Sequence, residues 1–274
     1  MLGDKKIALS FDTELWHETE WLKPYVTEDT LKYDPFPKSI KKILDLLEKY
    51  ERKATFFITL EVTEKYPEIL KEISDNGHEV GIHGPRHKKL KDYSLKDFKK
   101  DCTGQMSLIE KITGKRPIGY RAPHFSLNKE TFWVLEILKE LGFKYDSSIF
   151  PVNLGEYGVS SAKTSPHEII PGLKEIPITV AEFGKIRIPF AGGIYFRILP
   201  FWIFKFFIDH TSKTRQVNLY FHPHELDTST PKIKAGPWLR KNFKYWNIKK
   251  SSKKFETLLR NFNCEPMFTN FHLD

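Results

Sequence analysis

Residues 78–87 read HEVGIHGPRH, a short apolar stretch that ends at His83 and is followed four residues later by a second histidine, His87. Apolar residues at helical spacing precede it over Pro67–Asn76, and Gly77 tolerates the left-handed conformation in which helices often end. This order of helix, glycine and apolar strand is typical of proteins in which helices and strands alternate. The stretch therefore predicts a strand with two histidines at its C-terminal end.

The same alternation continues on both sides of this stretch. Before it, the pattern predicts a strand, a helix and a second strand, over Ile7–Phe11, Pro37–Tyr50 and Ala54–Thr59. After it, the pattern predicts helices over 94–114 and 128–141, and strands at IGYRAP (118–123), FKYDSSIF (143–150), KEIPIT (174–179) and QVNLYFHPHE (216–225). Residues 151–172 are rich in Gly, Pro and Ser and are predicted to form a long loop. We expect an α/β protein with a parallel sheet, in a single domain over residues 1–274.

Composition excludes several classes of protein. The chain has 274 residues, of which 40% are hydrophobic and 29% charged, so it is long enough and apolar enough to fold around a core. The two cysteines, Cys102 and Cys264, lie far apart and exclude both a cystine framework and a cysteine-rich zinc module. The N-terminus MLGDKKIALSFD has no apolar run of signal-peptide length, and no long uncharged apolar run follows, so we expect a cytoplasmic protein that does not span a membrane.

The net charge of +9 would suit a nucleic acid, an anionic membrane or a phosphate-bearing substrate. The lysines are scattered through the chain and form no basic arm, which favours an ordinary solvated surface. No nucleic-acid-binding motif is present, so no nucleic acid is expected as a partner.

Polar side chains follow the predicted strands at the points where the strands end. Because parallel strands place their C-terminal ends at one edge of a sheet or barrel, we expect these side chains to meet there. They are Asp12, Glu14, His83, His87, Arg121, His124, Asp146, His222 and His224.

His83 and His87 have a spacing that brings two imidazoles together on a single turn, as two metal ligands require. A carboxylate from SFDTE, residues 10–14, would complete two histidines and one acid and leave positions open for water and substrate, with Zn²⁺ as the first metal to consider. The alternatives are a capping or solvated histidine pair, and loop acids that cap a neighbouring helix. Arg121 either faces Asp12 and keeps it ionised or forms an ordinary salt bridge elsewhere.

Seven motifs together carry a resemblance to a known family. In chain order they are SFDTE, ATFFIT, GHEVGIHGPRH, GYRAPHFS, YDSSIFP, EIPIT and YFHPHELD. They resemble the motifs of the polysaccharide deacetylase family, carbohydrate esterase family four, over about Lys5–Asp227. The segments PFAGGIYFRILP, HPHELD and KIKAGPWLRKNFKYW resemble the branch found with bacterial exopolysaccharide and surface-glycan synthesis.

The resemblance implies a distorted (β/α) barrel of seven or eight mostly parallel strands, similar to a TIM barrel. It also implies a metal-dependent hydrolase that removes an N-acetyl or related N-acyl group from a sugar. His83 and His87 match the metal-binding histidines of the family. Asp12 matches the catalytic base and Arg121 the arginine that holds it.

Two further roles follow from the same resemblance. The backbone N–H of His124 falls where a donor to the oxyanion is expected, and His222 matches the histidine that acts as general acid. Members with an FDD motif carry a second acid directly after the first, where this chain has Thr13. The role of acidic metal ligand therefore falls to Glu14 or to Asp12 itself.

Residues 190–207 form an aromatic segment with interspersed lysine and arginine, for which core packing is the default and a place in a membrane interface the alternative. Together with the positive charge, this segment suggests a cytoplasmic enzyme, in peripheral contact with the inner membrane face, that acts on a lipid-diphosphate-linked or nucleotide-linked sugar. The competing hypotheses are a carbohydrate-binding pseudoenzyme that lost hydrolysis through Thr13, and a hydrolase of another non-peptide C–N bond.

Overall fold

The computed structural model describes residues 5–19, 22–153, 158–229 and 245–273. Most of the segment KIKAGPWLRKNFKYW, residues 232–246, lies outside these ranges. The strands are β1 (Lys6–Thr13), β2 (Thr55–Ile58), β3 (Glu79–His83), β4 (Gly119–Arg121), β5 (Tyr145–Asp146), β6 (His167–Ile170), β7 (Leu173–Glu175), β8 (Val180–Phe183), β9 (Ile186–Pro189), β10 (Asn218–Phe221) and β11 (Asn263–Glu265).

Helices connect most of these strands. They are α1 (Glu28–Leu31), α2 (Phe36–Lys49), α3 (Leu60–Lys65), α4 (Pro67–Asp75), α5 (Leu95–Thr113), α6 (Trp133–Glu140), α7 (Gly193–Ile198), α8 (Phe201–Thr211), α9 (Ile248–Asn261) and α10 (Met267–Asn270). Within the described ranges, none of them combines the length and the apolar character needed to cross a bilayer.

A mostly parallel sheet forms the centre of the molecule. Its strands follow the order β10-β1-β2-β3-β4-β5-β7-β6, and β11 also pairs with β1. Beyond β7, the segment 176–179 reaches β10 at the other edge, where the backbone N–H of Asn218 donates to Thr179 Oγ1 at 2.7 Å. The Asn218 amide also donates to the carbonyl of Pro177 at 3.3 Å. The sheet thus curls into a distorted barrel, which confirms the predicted α/β class and barrel architecture.

The first half of the chain follows the predicted pattern closely. Ser94 caps α5 by accepting a hydrogen bond from the Asp97 N–H at 3.1 Å, and Gly114 ends this helix with φ +72°. Gly77 likewise follows α4 with φ +76°. Asn128 caps a single 3₁₀ turn, so the predicted helix over 128–141 is α-helical only from Trp133.

The second half departs from the predicted pattern. The predicted loop 151–172 contains β6, which turns back through Gly172 at φ +85° and pairs antiparallel with β7. The strand predicted at 143–150 is much shorter, β5 at Tyr145–Asp146, and beyond it the Ala122 N–H donates to the Ser148 hydroxyl at 2.8 Å instead of to a backbone carbonyl. The β8–β9 hairpin and β11 were not predicted.

The aromatic segment 190–207 forms α7, α8 and the residues before them. Phe190, Phe196 and Phe204 are buried in the main core, so the default expectation of core packing holds for these side chains. Trp202 and Phe206 point outward instead.

Candidate active site

The C-terminal ends of β10, β1, β2, β3 and β4 lie side by side, in that order, in the parallel sheet. β3 and β4 pair with His83 opposite Arg121, and β1 pairs with β10 with Phe11 opposite Phe221. Asp12 and His222 directly follow Phe11 and Phe221 in the chain. The parallel register therefore brings the predicted polar side chains to one rim of the barrel.

Glu14, His83 and His87 form a compact buried cluster at this rim. Each offers one ligand atom, and these atoms lie within 4.8 Å of one another. Glu14 Oε2 is 3.8 Å from His83 Nε2 and also contacts His87 Nε2. The set of two imidazoles and one carboxylate has the composition of a catalytic zinc site.

A tight turn after β3 places the second histidine. The N–H of His87 donates to the carbonyl of Gly84 at 3.0 Å, and His87 itself has φ +49°. Gly84 has φ +43°, and a Cβ built on it would lie 2.2 Å from Pro123 Cδ. Only glycine fits there without movement, so the HGPRH stretch folds His87 back towards His83.

The two histidines are oriented by backbone carbonyls. His83 Nδ1 lies 3.2 Å from the carbonyl of Arg121, and His87 Nδ1 lies 3.1 Å from the carbonyl of Glu18. An Nδ1–H that donates to a carbonyl leaves Nε2 with its lone pair, which is the arrangement usual for metal-binding histidines. Burial also lowers the pKa of His83 to about 4, which keeps this imidazole neutral at pH 7.

Asp12 is paired with Arg121 instead of joining the cluster of Glu14 and the histidines. Arg121 Nη1 lies 2.6 Å from Asp12 Oδ1, and both side chains are buried. Burial raises the pKa of Asp12, but Arg121, through its charge and hydrogen bond, together with His83 and His222, lowers it below its usual value. Ser10 and Ser147 hold the guanidinium, which donates to the Ser10 hydroxyl at 2.8 Å and to the Ser147 hydroxyl at 3.0 Å.

Thr13 and Glu14 account for the departure from the FDD pattern. Thr13 is buried, and its hydroxyl donates to the carbonyl of Phe11 at 3.3 Å. Glu14, one position further along, is the acid that reaches the histidines. The longer glutamate side chain thus reaches this cluster from one position further along the chain.

His222 faces an acid that the sequence analysis left without a role. His222 Nδ1 lies 3.2 Å from Glu225 Oε2, and the His222 backbone N–H donates to the same oxygen at 3.1 Å. Burial lowers the pKa of His222, but Glu225, through its charge and hydrogen bond, together with the charges of Glu14 and Asp12, raises it to about 9. The reciprocal effect lowers the pKa of Glu225 to about 2.

Arg197 supports this pair from α7. Its Nε lies 3.4 Å from Glu225 Oε1, and both side chains are buried. The sequence contained one signal for Glu225, because an acid three residues after a histidine in HPHE can fold back onto it in a single turn. The long separation of Arg197 from the motif left no such signal.

The remaining predicted residues lie in different surroundings. His124 sits in the turn Pro123–Phe125 with φ +58°, and its ring centroid is 4.9 Å from that of His87. His224 stacks on His222 with ring centroids 5.1 Å apart. Asp146 instead faces Glu175 across β5 and β7, where both carboxyls are buried.

A model of the polysaccharide deacetylase family matches residues 2–145, slightly more than half of the chain. The chain belongs to the polysaccharide deacetylase family. Residues 147–271 match a second family model, a domain of unknown function, DUF3473, which includes His222 and Glu225. The two matched regions both contribute strands to the same sheet. Polysaccharide deacetylases are generally metal-dependent, and Glu14, His83 and His87 form a group that could hold a metal ion.

Two curated relatives are peptidoglycan deacetylases. The chain is 32% identical to the peptidoglycan deacetylase of Helicobacter pylori over 160 residues, which cover 57% of this chain and 54% of the relative. It is 38% identical to the peptidoglycan-N-acetylmuramic acid deacetylase PdaC of Bacillus subtilis over 96 residues, which cover 35% of this chain and 21% of the relative. The chain therefore spans about half or less of the length of these relatives.

Solved structures show the same fold at low sequence identity. A Mycobacterium smegmatis protein described as a polysaccharide deacetylase has a TM-score of 0.65 at 18% identity, and the match covers all of this chain and 91% of that chain. PuuE allantoinase has a TM-score of 0.62 at 13% identity, with 98% and 89% coverage. These similarities support the barrel fold found here.

Proposed function

We propose that this chain is a metal-dependent N-deacetylase that hydrolyses an N-acetyl or related N-acyl group on a sugar. The observation that carries the proposal is the meeting of three groups at one rim: the cluster of Glu14, His83 and His87, the pair of Asp12 with Arg121, and the pair of His222 with Glu225. Amide hydrolysis needs an activated water, a base and an acid, and these groups have the chemistry for each.

Glu14, His83 and His87 would hold the metal, for which Zn²⁺ is the best match to two imidazoles and one carboxylate. When bound, the metal supplies a Lewis acid that activates water and polarises the acyl carbonyl. Asp12 is assigned no ligand role in this proposal, because its carboxylate is engaged by Arg121.

Asp12 would act as the base. The charge of Arg121 keeps it ionised, so it can accept a proton from the attacking water. His222 would act as the acid, because Glu225 keeps the imidazole protonated at neutral pH and ready to donate a proton to the departing amine nitrogen. The backbone N–H of His124 would donate to the oxyanion. The products are the carboxylate and the free amino sugar.

The substrate class is inferred from the relatives and from the segment PFAGGIYFRILP. The relatives' names point to N-acetylated sugars, and one is a peptidoglycan-N-acetylglucosamine deacetylase of Bacillus cereus. The segment PFAGGIYFRILP, which resembles the exopolysaccharide branch, contributes Arg197 to the pair at His222. We infer a role in the synthesis of a surface polysaccharide or glycolipid, on a lipid-diphosphate-linked or nucleotide-linked sugar, in the cytoplasm and in peripheral contact with the inner membrane face.

The test is acetate release from N-acetylglucosamine oligomers and from nucleotide-linked N-acetylglucosamine, with Zn²⁺ and with chelator. We expect metal-stimulated release that His83→Ala and Asp12→Asn abolish, while His167→Ala, which changes a histidine on β6, retains it. Sugar binding without metal-stimulated release would indicate a pseudoenzyme instead of a deacetylase. Release from non-sugar amides alone would indicate a hydrolase of another C–N bond.

A further inference from the structure

Four large apolar side chains are exposed together on α8 and the β8–β9 hairpin. The exposed fractions are 37% for Phe183, 65% for Ile186, 72% for Trp202 and 52% for Phe206. We call these four residues the aromatic patch. Such side chains are costly to leave in water when they form one contiguous surface, and contiguous apolar surfaces commonly mark binding sites.

The contacts between the elements join these residues into one surface. Trp202 and Phe206 lie one turn apart on α8, so they share a helix face. The ring of Phe183 stacks on that of Phe206 with centroids 6.3 Å apart, and Phe183 pairs with Ile186 across the hairpin. The opposite face of α8 buries Phe204 and Ile208 in the core. The helix is therefore anchored on one side and apolar on the other.

Positive charge surrounds the aromatic patch. Residues 180–189 and 201–215, which contain the hairpin and α8, carry five basic and two acidic side chains. Both acids are already in ion pairs, Glu182 with Arg187 and Arg215, and Asp209 with Lys5 and Lys205.

Two exposed lysines lie at the ends of this surface. Lys185 is in the turn of the hairpin, between the exposed Phe183 and Ile186. Lys213 lies in the turn that follows the C-terminal end of α8 at Thr211. The apolar surface is thus flanked by cations.

We propose that the aromatic patch inserts into the interface of an anionic lipid bilayer, with Lys185 and Lys213 at the level of the head groups. Tryptophan and phenylalanine on one face with lysine beside them is the chemistry of a surface that lies in a membrane interface. The cations that flank the patch complement anionic head groups, so we assign the patch to an anionic membrane, and the experiment tests a protein partner as the alternative.

The patch is connected to the candidate active site through α7. Leu199 and Pro200 alone separate α7 from α8, and Arg197 on α7 contacts Glu225, the partner of His222. A bilayer that binds α8 would therefore lie near α7, whose Arg197 contacts the partner of the proposed acid, His222. This link to a membrane-attached sugar rests on the proposed function, whereas lipid binding itself does not.

The experiment is flotation of the full chain with vesicles of phosphatidylcholine, alone or mixed with phosphatidylglycerol. We expect binding to the anionic vesicles that weakens as salt screens the lysines.

The double variant Trp202→Ser/Phe206→Ser should lose binding by about tenfold or more, since two interfacial side chains are removed. Lys185→Glu/Lys213→Glu should weaken binding to anionic vesicles. Phe132→Ser, which changes an exposed aromatic residue elsewhere, should bind as before.

Three outcomes would overturn the proposal: no flotation of the folded protein, equal flotation of the Trp202/Phe206 double variant, or a self-association that this variant abolishes, which would assign the patch to a second copy. Circular dichroism and thermal melting show whether each variant folds. His83→Ala should float normally, so loss of hydrolysis and loss of membrane binding can be told apart.

Discussion

Among single residues, Glu225 has the clearest effect, because it favours the protonated form of His222. Because the pKa of His222 is raised to about 9, the proposed acid is protonated at neutral pH and loses its proton only as the pH rises through that value. Glu225→Gln removes the neighbouring charge, so the pKa should fall towards the ordinary value of about 6.5. The alkaline limb of the kcat/KM profile, measured on the metal-loaded protein, should move to lower pH.

Glu168→Gln is the control for that experiment, since Glu168 is an exposed acid on β6. It should leave the alkaline limb where it is. An unchanged limb in Glu225→Gln would contradict the role given to Glu225.

Arg121 and Asp12 form a buried ion pair, so losing one partner leaves an uncompensated charge. Arg121→Leu should reduce the free energy of unfolding by about 3–5 kcal/mol, measured by urea denaturation. The double variant Arg121→Leu/Asp12→Asn should recover part of that loss, because the buried charge is also removed. Equal instability of the single and double variants would indicate that Arg121 stabilises the fold through contacts other than its pair with Asp12, such as those with Ser10 and Ser147.

At the scale of elements, the turn after β3 determines whether the two histidines meet. Gly84→Ala would place a Cβ 2.2 Å from Pro123 Cδ, so the turn must move and carry His87 with it. We expect a loss of stability of about 1–3 kcal/mol from the unfavourable φ and a fall in Zn²⁺ affinity of about tenfold or more. Calorimetric titration measures the affinity.

Gly114→Ala is a matched control, because Gly114 also has positive φ but a Cβ there meets nothing within 4 Å. Gly114→Ala should lower stability only because alanine disfavours a positive φ, and it should leave Zn²⁺ affinity unchanged. The same loss of affinity in both variants would show that the turn of Gly84 has no special role.

The strands and the site differ in how far their residues could be predicted from sequence. His83 and His87 could be predicted because both belong to one local stretch, and Asp12 because it directly follows an apolar strand. Glu225 had a local signal in its spacing from His222, whereas Arg197 reaches Glu225 from a distant segment and had none. Beyond the short β5, the Ala122 N–H donates to the Ser148 hydroxyl, a tertiary contact that no strand pattern records.

At the scale of the whole molecule, barrel closure and metal binding both join distant parts of the chain. The barrel closes through Asn218 and the segment 176–179, which a strand-by-strand reading of the sequence does not reveal. A metal held by Glu14, His83 and His87 would tie β1 to the turn after β3. Zn²⁺ at one hundred times its Kd should stabilise the fold by about 2.7 kcal/mol.

Thermal melting with Zn²⁺ and with chelator measures this stabilisation. Glu14→Gln should fold and melt without the Zn²⁺-dependent shift, because it lacks the carboxylate ligand. An equal shift in this variant would place the stabilising metal elsewhere on the protein.

We propose that one divalent cation binds between the two histidines and the acid that follows β1. Crystals grown with Zn²⁺ and measured at the zinc absorption edge test it most directly. We predict an anomalous peak about 2.0–2.1 Å from His83 Nε2 and His87 Nε2, with a Glu14 oxygen at a similar distance. A peak bound by Asp12 in place of Glu14, or no peak at these histidines, would contradict the claim.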